Sequence, residues 1–296
     1  MVARIGFYIL GASLVFAMMG CAGASDDEVV APVVKTEPVE VTESTQNETA
    51  PVPEEIKEDI SVTPIPVEIE NLSIRIIEKR SHSKDAFSQG FEFSGDRLFE
   101  SRGLYGESGV SEIDPSNGEV IQWLPLGDEF FGEGLTVLED TLIQLTWING
   151  VAYVIDIETF AVINVFDYEG EGWGLCFDGE LLYMSDGSSR LTVRDPDSFL
   201  VVDEIPVMRN GVPVQAINEL ECVGDDIYAN VWRTNDILMI DRSSGNVGAV
   251  IDGSGLLTAE EAEFADVLNG IAYIEESETF LITGKLWPSM FEVIFE

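Results

Sequence analysis

Five stretches of this chain can be laid under one another, and that repetition limits what the chain can fold into more than any other feature. The first runs from Gly90 through Leu98-Phe99-Glu100-Ser101 to Val110-Ser111-Glu112-Ile113-Asp114-Pro115. The second runs from Gly134 through Leu142-Ile143-Gln144-Leu145 to Ala152-Tyr153-Val154-Ile155-Asp156. The third runs from Gly174 through Leu182-Tyr183-Met184-Ser185 to Leu191-Thr192-Val193-Arg194-Asp195-Pro196. The fourth runs from Glu219 through Ile227-Tyr228-Ala229-Asn230 to Ile237-Leu238-Met239-Ile240-Asp241, and the fifth from Gly270 through Phe280-Leu281-Ile282-Thr283 to Met290-Phe291-Glu292-Val293. Each reads as short strand, turn, short strand, turn, then a strand ending near Asp and a tight turn. Asn117-Gly118 and Ser244-Gly245 supply the residues such turns need. A helical stripe appears only at residues 258–268. The period of about 40 to 50 residues is that of propeller blades. The expected fold is therefore all-β, a five-bladed β-propeller. A sandwich or jelly roll of this length would leave the repetition unexplained. The fifth unit lacks its outermost strand, while Leu72-Ser73-Ile74-Arg75-Ile76-Ile77-Glu78-Lys79 is a strand without a unit. This N-terminal strand is expected to pair into the last blade, closing the ring and removing two exposed edges.

Three domains are expected: residues 1–20, 21–70 and 71–296. The first has a positive Arg4 followed by an apolar run over residues 5–17, shorter than the roughly 20 residues a bilayer span needs. Met18-Met19-Gly20-Cys21 resembles the lipobox of bacterial lipoproteins, with Cys21 the lipidated residue. A plain secretory signal cleaved near Ala22 or Ala24 is the other reading, and both export the protein. Residues 21–70 are acidic, carry Pro32, Pro38, Pro51, Pro53, Pro64 and Pro66, and hold no aromatic residue. Such a segment cannot bury enough apolar surface to fold and reads as a self-repelling tether. The expected location is the cell envelope, by a lipid anchor at the periplasmic face of the outer membrane or at the cell surface. A monomer is expected. The formal net charge of −40 argues against a nucleic-acid partner and against any membrane contact except through the anchor; solubility in a saline habitat accounts for it.

Cys176 and Cys222 belong to no CxxC or Cys/His pattern; a disulfide is open to them in an exported protein, and two buried free thiols are the favoured reading. The one His, His82, lies outside any catalytic pattern and reads as a satisfied loop residue. No G-x-S-x-G elbow and no zinc cluster is present in the sequence. A structural Ca²⁺ ion on oxygen ligands stays open, and no other metal or cofactor is expected.

What remains is a pair of rings. In a propeller the first strand of each blade lines the axis. Gln89, Glu133, Trp173, Asn218 and Asn269, at the start of those strands, should converge on one rim. Trp147, Asp186, Trp232, and Lys285 with Trp287, at the ends of the second strands, return to it. Four of the chain's five Trp fall in these two sets. The expectation is an apolar cup with polar tips. Glu133 is the single acid of the first ring, presented between Gly132 and Gly134, which would let backbone and ligand approach. A carboxylate among amide, lysine and indole neighbours suits general acid–base work on an uncharged or cationic substrate.

Phe87-Ser88-Gln89-Gly90, Leu104-Tyr105-Gly106-Glu107-Ser108, Phe131-Gly132-Glu133-Gly134-Leu135-Thr136, Gly170-Glu171-Gly172-Trp173-Gly174, Asn218-Glu219-Leu220-Glu221, Tyr228-Ala229-Asn230-Val231-Trp232, Leu268-Asn269-Gly270-Ile271-Ala272 and Thr283-Gly284-Lys285-Leu286-Trp287-Pro288 occur in that order. This closely resembles the glutamine cyclotransferases of the plant and bacterial type. The resemblance covers the whole globular part. It implies a five-bladed, metal-independent enzyme that converts the N-terminal glutamine of peptides and proteins to pyroglutamate and releases ammonia. It implies Glu133 as the proton shuttle, with Gln89, Asn218 and Lys285 orienting the carboxamide and stabilising its oxygen. Phe87, Phe131, Trp147, Trp173 and Trp232 would form the walls, and Glu171 and Glu107 are next in line for the proton transfer. The alternative is a catalytically silent surface propeller that binds peptides or glycans.

Overall fold

The structure, a computed structural model, describes residues 68–296. The signal segment, the lipidation site at Cys21 and nearly all of the tether lie outside the described residues. Strand β1 (Glu70–Ser81) comes first. Three four-stranded antiparallel sheets follow in chain order. The first is β2 (Ser88–Ser94), β3 (Arg97–Arg102), β4 (Gly109–Ile113) and β5 (Val120–Pro125). The second is β6 (Gly132–Leu138), β7 (Thr141–Thr146), β8 (Val151–Asp156) and β9 (Val162–Asp167). The third is β10 (Leu175–Phe177), β11 (Leu182–Ser185), β12 (Arg190–Arg194) and β13 (Val201–Pro206). A two-stranded ribbon, β14 (Met208–Arg209) with β15 (Val212–Pro213), leads to the rest. That rest is β16 (Ile217–Val223), β17 (Asp226–Val231), β18 (Asp236–Asp241) and β19 (Val247–Asp252), then β20 (Leu268–Ile274), β21 (Thr279–Gly284) and β22 (Ser289–Phe295).

In the first three sheets the outermost strand is the most exposed: β6 begins with five buried residues, whereas β9 is exposed at five of its six. The inner strands touch in a closed order, β2 to β6, β6 to β10, β10 to β16, β16 to β20, and β20 back to β2. The core is divided the same way. Phe99 and Val110 meet Leu135, Leu142 and Ile155, and Ile143 and Val154 meet Leu182 and Met184. Tyr183 and Val193 meet Leu220, Ile227 and Leu238, Ile237 and Ile251 meet Ile271, Ile282 and Phe291, and Leu281 and Met290 meet Phe91, Leu98 and Ile113. Each apolar cluster fills one gap between successive sheets. An all-β, propeller-like arrangement follows, because every sheet buries both faces against a neighbour and leaves only its outer strand to solvent.

β1 pairs with the C-terminal strand as expected, Ile74 to Ser81 running antiparallel along β22. It does one thing more. Glu70 to Ser73 pair in parallel with Ala249 to Asp252 of β19, so β1 stitches the last two sets into one eight-stranded sheet.

The recurring Asp is a turn device. Asp114, Asp156, Asp195 and Asp241 each accept a backbone N–H two or three residues on, from Ser116, Thr159, Ser198 and Ser244 at 2.8–2.9 Å. Two expectations are corrected. The stripe at 258–268 holds only the short 3₁₀ turn Glu261–Glu263. Thr258 and Glu261 cap that turn reciprocally, and Glu261 also accepts from Lys79. Cys176 and Cys222 are not free thiols: they form a disulfide, with Cα atoms 5.5 Å apart, between the inner strands β10 and β16.

Candidate active site

Four inner strands carry a bulge at the same place. Pairing slips between Ser88 and Gly90, between Gly132 and Leu135, between Ile217 and Leu220, and between Leu268 and Ile271. The residues inside those slips include Gln89, Glu133, Asn218 and Asn269. A bulge re-aims a side chain that regular pleating would send elsewhere. At the ends of the second strands, backbone strain does similar work. Leu104, Arg233 and Leu286 hold φ of 80°, 65° and 60°, each one residue after Gly103, Trp232 and Lys285.

These devices open one cavity of about 210 Å³, lined by Phe87, Gln89, Phe131, Glu133, Trp147, Trp173, Asn218, Trp232 and Lys285. All nine residues expected at the site therefore line one cavity. Three others of the two rings do not. Asn269 is fully buried behind it, donating from Nδ2 to the Ser88 carbonyl at 2.9 Å and to Gln89 Oε1 at 3.5 Å. Asp186 caps its own turn through Ser188. Trp287 turns back into the core, with Nε1 donating to the Asp266 carbonyl at 2.8 Å. Nor do the glycines flanking Glu133 serve a ligand. A Cβ on Gly134 would lie 2.7 Å from Gly174, so Gly134 lets neighbouring inner strands touch at the axis.

Glu133 is buried, and its Oε1 accepts the Gln89 amide at 3.0 Å. Burial pushes its carboxyl well above the usual range; the Lys285 charge opposes this and the Glu171 charge adds to it. Burial also lowers the Lys285 ammonium, against the charges of Glu133 and Asp266. Among the described residues Lys285 makes no ion pair within 4.0 Å. Its Nζ lies 5.0 Å from the Phe87 ring centroid instead. Asn218 lines the cavity, and its buried Oδ1 has no partner. Such an orphan costs about 1–3 kcal/mol until a donor arrives.

Behind the cavity lies a second polar group. His82 is buried, with Nδ1 2.9 Å from the Trp287 carbonyl and Nε2 2.9 Å from Glu100 Oε1. Both partners accept, so the doubly protonated ring satisfies both with its two N–H groups. Glu100 also accepts from Ser88 Oγ at 2.5 Å and Arg102 Nε at 2.8 Å. His82 is satisfied, as expected, and it braces the strand that bears Gln89. Among the described residues no three His, Cys, Asp or Glu side chains are placed to hold a metal ion.

The sequence model of glutamine cyclotransferases matches residues 48–295 of this chain. The chain belongs to the glutamine cyclotransferase family. The glutaminyl-peptide cyclotransferase of Arabidopsis thaliana is 36% identical over 226 residues, covering 74% of this chain and 70% of the relative. The crystal structure of Myxococcus xanthus glutaminyl cyclase superposes with a TM-score of 0.71 at 37% identity, covering 77% of this chain and 99% of that one. Two features of this glutamine cyclotransferase escaped the sequence. Gly103 shares the rim slot of Trp147, and a Cβ there would lie 2.3 Å from Phe131 Cε1. Tyr105 packs edge-on against Phe131 at 5.4 Å. The positive φ at Leu104, between them, has no sequence signal.

Proposed function

We propose that this chain is a glutaminyl-peptide cyclotransferase working on peptides and proteins that begin with glutamine. The observation that carries the site assignment is the single buried carboxylate, Glu133, in a cavity walled by indole and phenyl rings and tipped by amide and ammonium groups. The α-amine nitrogen attacks the side-chain carboxamide carbon, the ring C–N bond forms, the bond to the amide nitrogen breaks, and ammonia leaves with pyroglutamate behind it. Glu133 takes the proton from the attacking amine and gives it to the departing nitrogen. A carboxyl raised by burial is a better base for this than one in water. Lys285, buried and facing Glu133, steadies the developing oxyanion. Asn218, in the cavity wall, orients the carboxamide, and Gln89 holds the shuttle in place. The rings fold the glutamine into an attacking conformation.

The test is ammonia release from a Gln-initiated dipeptide. No release above the uncatalysed rate would leave the silent-propeller reading. Glu133→Gln should lower kcat by about 10² or more.

The closed order of inner strands supports a five-bladed ring, with β1 completing the last blade. A chain truncated at about Ser81 should then lose cooperative unfolding, and a soluble, fully folded truncation would sink this closure. Residues 1–20 with Cys21 are assigned to export and lipid anchoring and 21–70 to a tether. Envelope-fraction labelling with a palmitate analogue, lost in Cys21→Ala, tests the anchor.

A further inference from the structure

The walls of the cavity form two aromatic runs, and one exposed carboxylate joins them. In the first run Phe87 packs on Phe131 at 6.1 Å, and Phe131 packs on Trp147 at 5.8 Å. In the second Trp173 packs on Trp232 at 5.5 Å, and the Arg233 guanidinium lies 4.2 Å over Trp232. No ring contact links the runs among the described residues. What links them is Glu171. Its Oε2 accepts Trp147 Nε1 at 2.6 Å and Trp173 Nε1 at 2.9 Å. Both indole N–H groups, from residues flanking different sheets, thus end on one atom. The segment bearing Glu171 is itself fixed. Gly172 N–H donates to the Trp147 carbonyl at 2.8 Å, and Thr146 N–H donates to the Tyr168 hydroxyl at 3.2 Å. Tyr168 in turn donates to the Thr146 carbonyl.

We propose that Glu171 is the positioning residue of the cup, a clasp that sets the spacing of the Trp147 and Trp173 indoles and so the grip on the substrate's glutamine. It is not a stand-in base: its side chain does not line the cavity, and one of its oxygens is engaged by two indole donors. A carboxylate can take two N–H donors on one oxygen at such short range because the charge strengthens both bonds. Glu171 also acts on Glu133 through space as a like charge. These two effects separate on substitution. Glu171→Gln keeps an acceptor oxygen and loses the charge; Glu171→Ala loses both.

This inference rests on the cyclotransferase reading, and its tests are split accordingly. Wild-type ammonia release judges that reading. Indole emission and near-UV circular dichroism of the free protein judge the clasp without any turnover. Glu171→Ala should change both spectra while the unfolding temperature stays near that of wild type, and should raise KM about tenfold with a smaller change in kcat. Glu171→Gln should return KM to within about threefold of wild type. In both variants the acid limb of kcat/KM should move to lower pH, since the like charge is gone. Wild-type spectra and KM in Glu171→Ala would overturn the clasp. So would a KM in Glu171→Gln as high as in Glu171→Ala, which would mean that charge and not hydrogen bonding holds the walls.

Discussion

Glu100 and Glu133 are both buried carboxylates on neighbouring sheets, and the fold drives them in opposite directions. Burial alone would raise both. At Glu100 the charges of His82 and Arg102 and their hydrogen bonds outweigh it and bring the carboxyl down to about 2. At Glu133 the nearest cation, Lys285, stands beyond ion-pair distance, and burial wins. The difference is one of contact. A carboxylate with two touching cations is a brace; one that feels a cation across a cavity keeps a proton affinity that chemistry can use. His82 fits the brace. Burial lowers it, and Glu100's charge and hydrogen bond more than offset this, so it is raised.

The largest test breaks the brace. Glu100→Gln leaves His82 and Arg102 as buried charges without a counter-ion and should cost about 3–5 kcal/mol of stability, read by urea unfolding. The sign with pH follows from the shifts. Glu100 is lowered, so its contribution is present above its ordinary value of 4.5 and is lost as pH falls toward about 2. His82 is raised, so its contribution is present below its ordinary 6.5 and is lost as pH climbs through the raised value. The brace is therefore strongest between those two ordinary values, and Glu100→Gln should lower that plateau and flatten the losses on either side of it. An unchanged urea midpoint would remove the contrast with Glu133.

A smaller effect is expected from the other side of the comparison. Lys285→Met removes the one charge that holds Glu133 down. The acid limb of kcat/KM should move to higher pH, and kcat should fall by about 10- to 100-fold as the oxyanion loses its cation. A limb that stays in place would mean that Lys285 and Glu133 do not sense each other.

How much of this could be read in advance follows from which interactions are local. The Asp at each third strand speaks for its own turn, and the recurring unit sets which residues share a rim; that is why Gln89, Glu133, Trp173, Asn218, Trp147, Trp232 and Lys285 were legible together. Trp287 was misplaced because the left-handed Leu286 between it and Lys285 reverses the chain, and nothing in a leucine announces that. The bulges could not be seen, since a slipped register belongs to two strands at once. The Cys176–Cys222 bond needed the approach of β10 to β16, a distance that spacing in sequence does not give. Glu171 was ranked as a spare base because the sequence shows its charge but not the two indoles that use it.

The wall itself offers a milder probe. Gly103→Ala would place a methyl against the Phe131 ring and near Gln89, both of which line the cavity. Overpacking of this kind costs about 1–3 kcal/mol. Because Phe131 lines the cavity and Gln89 donates to Glu133, the loss should show as a KM raised by several-fold with the acid limb unmoved. A wild-type KM would mean that the ring can step aside.

The smallest effect sharpens the comparison by adding a half-buried acid that no cation touches among the described residues. Glu92 on β2 accepts the Val137 N–H on Oε2 at 3.0 Å, and burial lifts its carboxyl to about 8 against that hydrogen bond. Its charged neighbours are the carboxylates Glu219 and Glu221, so it contrasts most directly with Glu100, which two cations touch. A raised acid contributes stability at low pH that is lost as pH rises through its folded value, because the unfolded chain gives up the proton first. Between pH 7 and pH 8 the wild type should therefore lose about 1 kcal/mol more than Glu92→Gln, whose amide oxygen can still accept from Val137 and never ionises. Thermal unfolding of the two proteins at each pH measures this difference directly. Equal losses would show that Glu92 is already ionised at neutral pH, and that hydrogen bonds alone can hold a carboxylate in this core without a cation beside it.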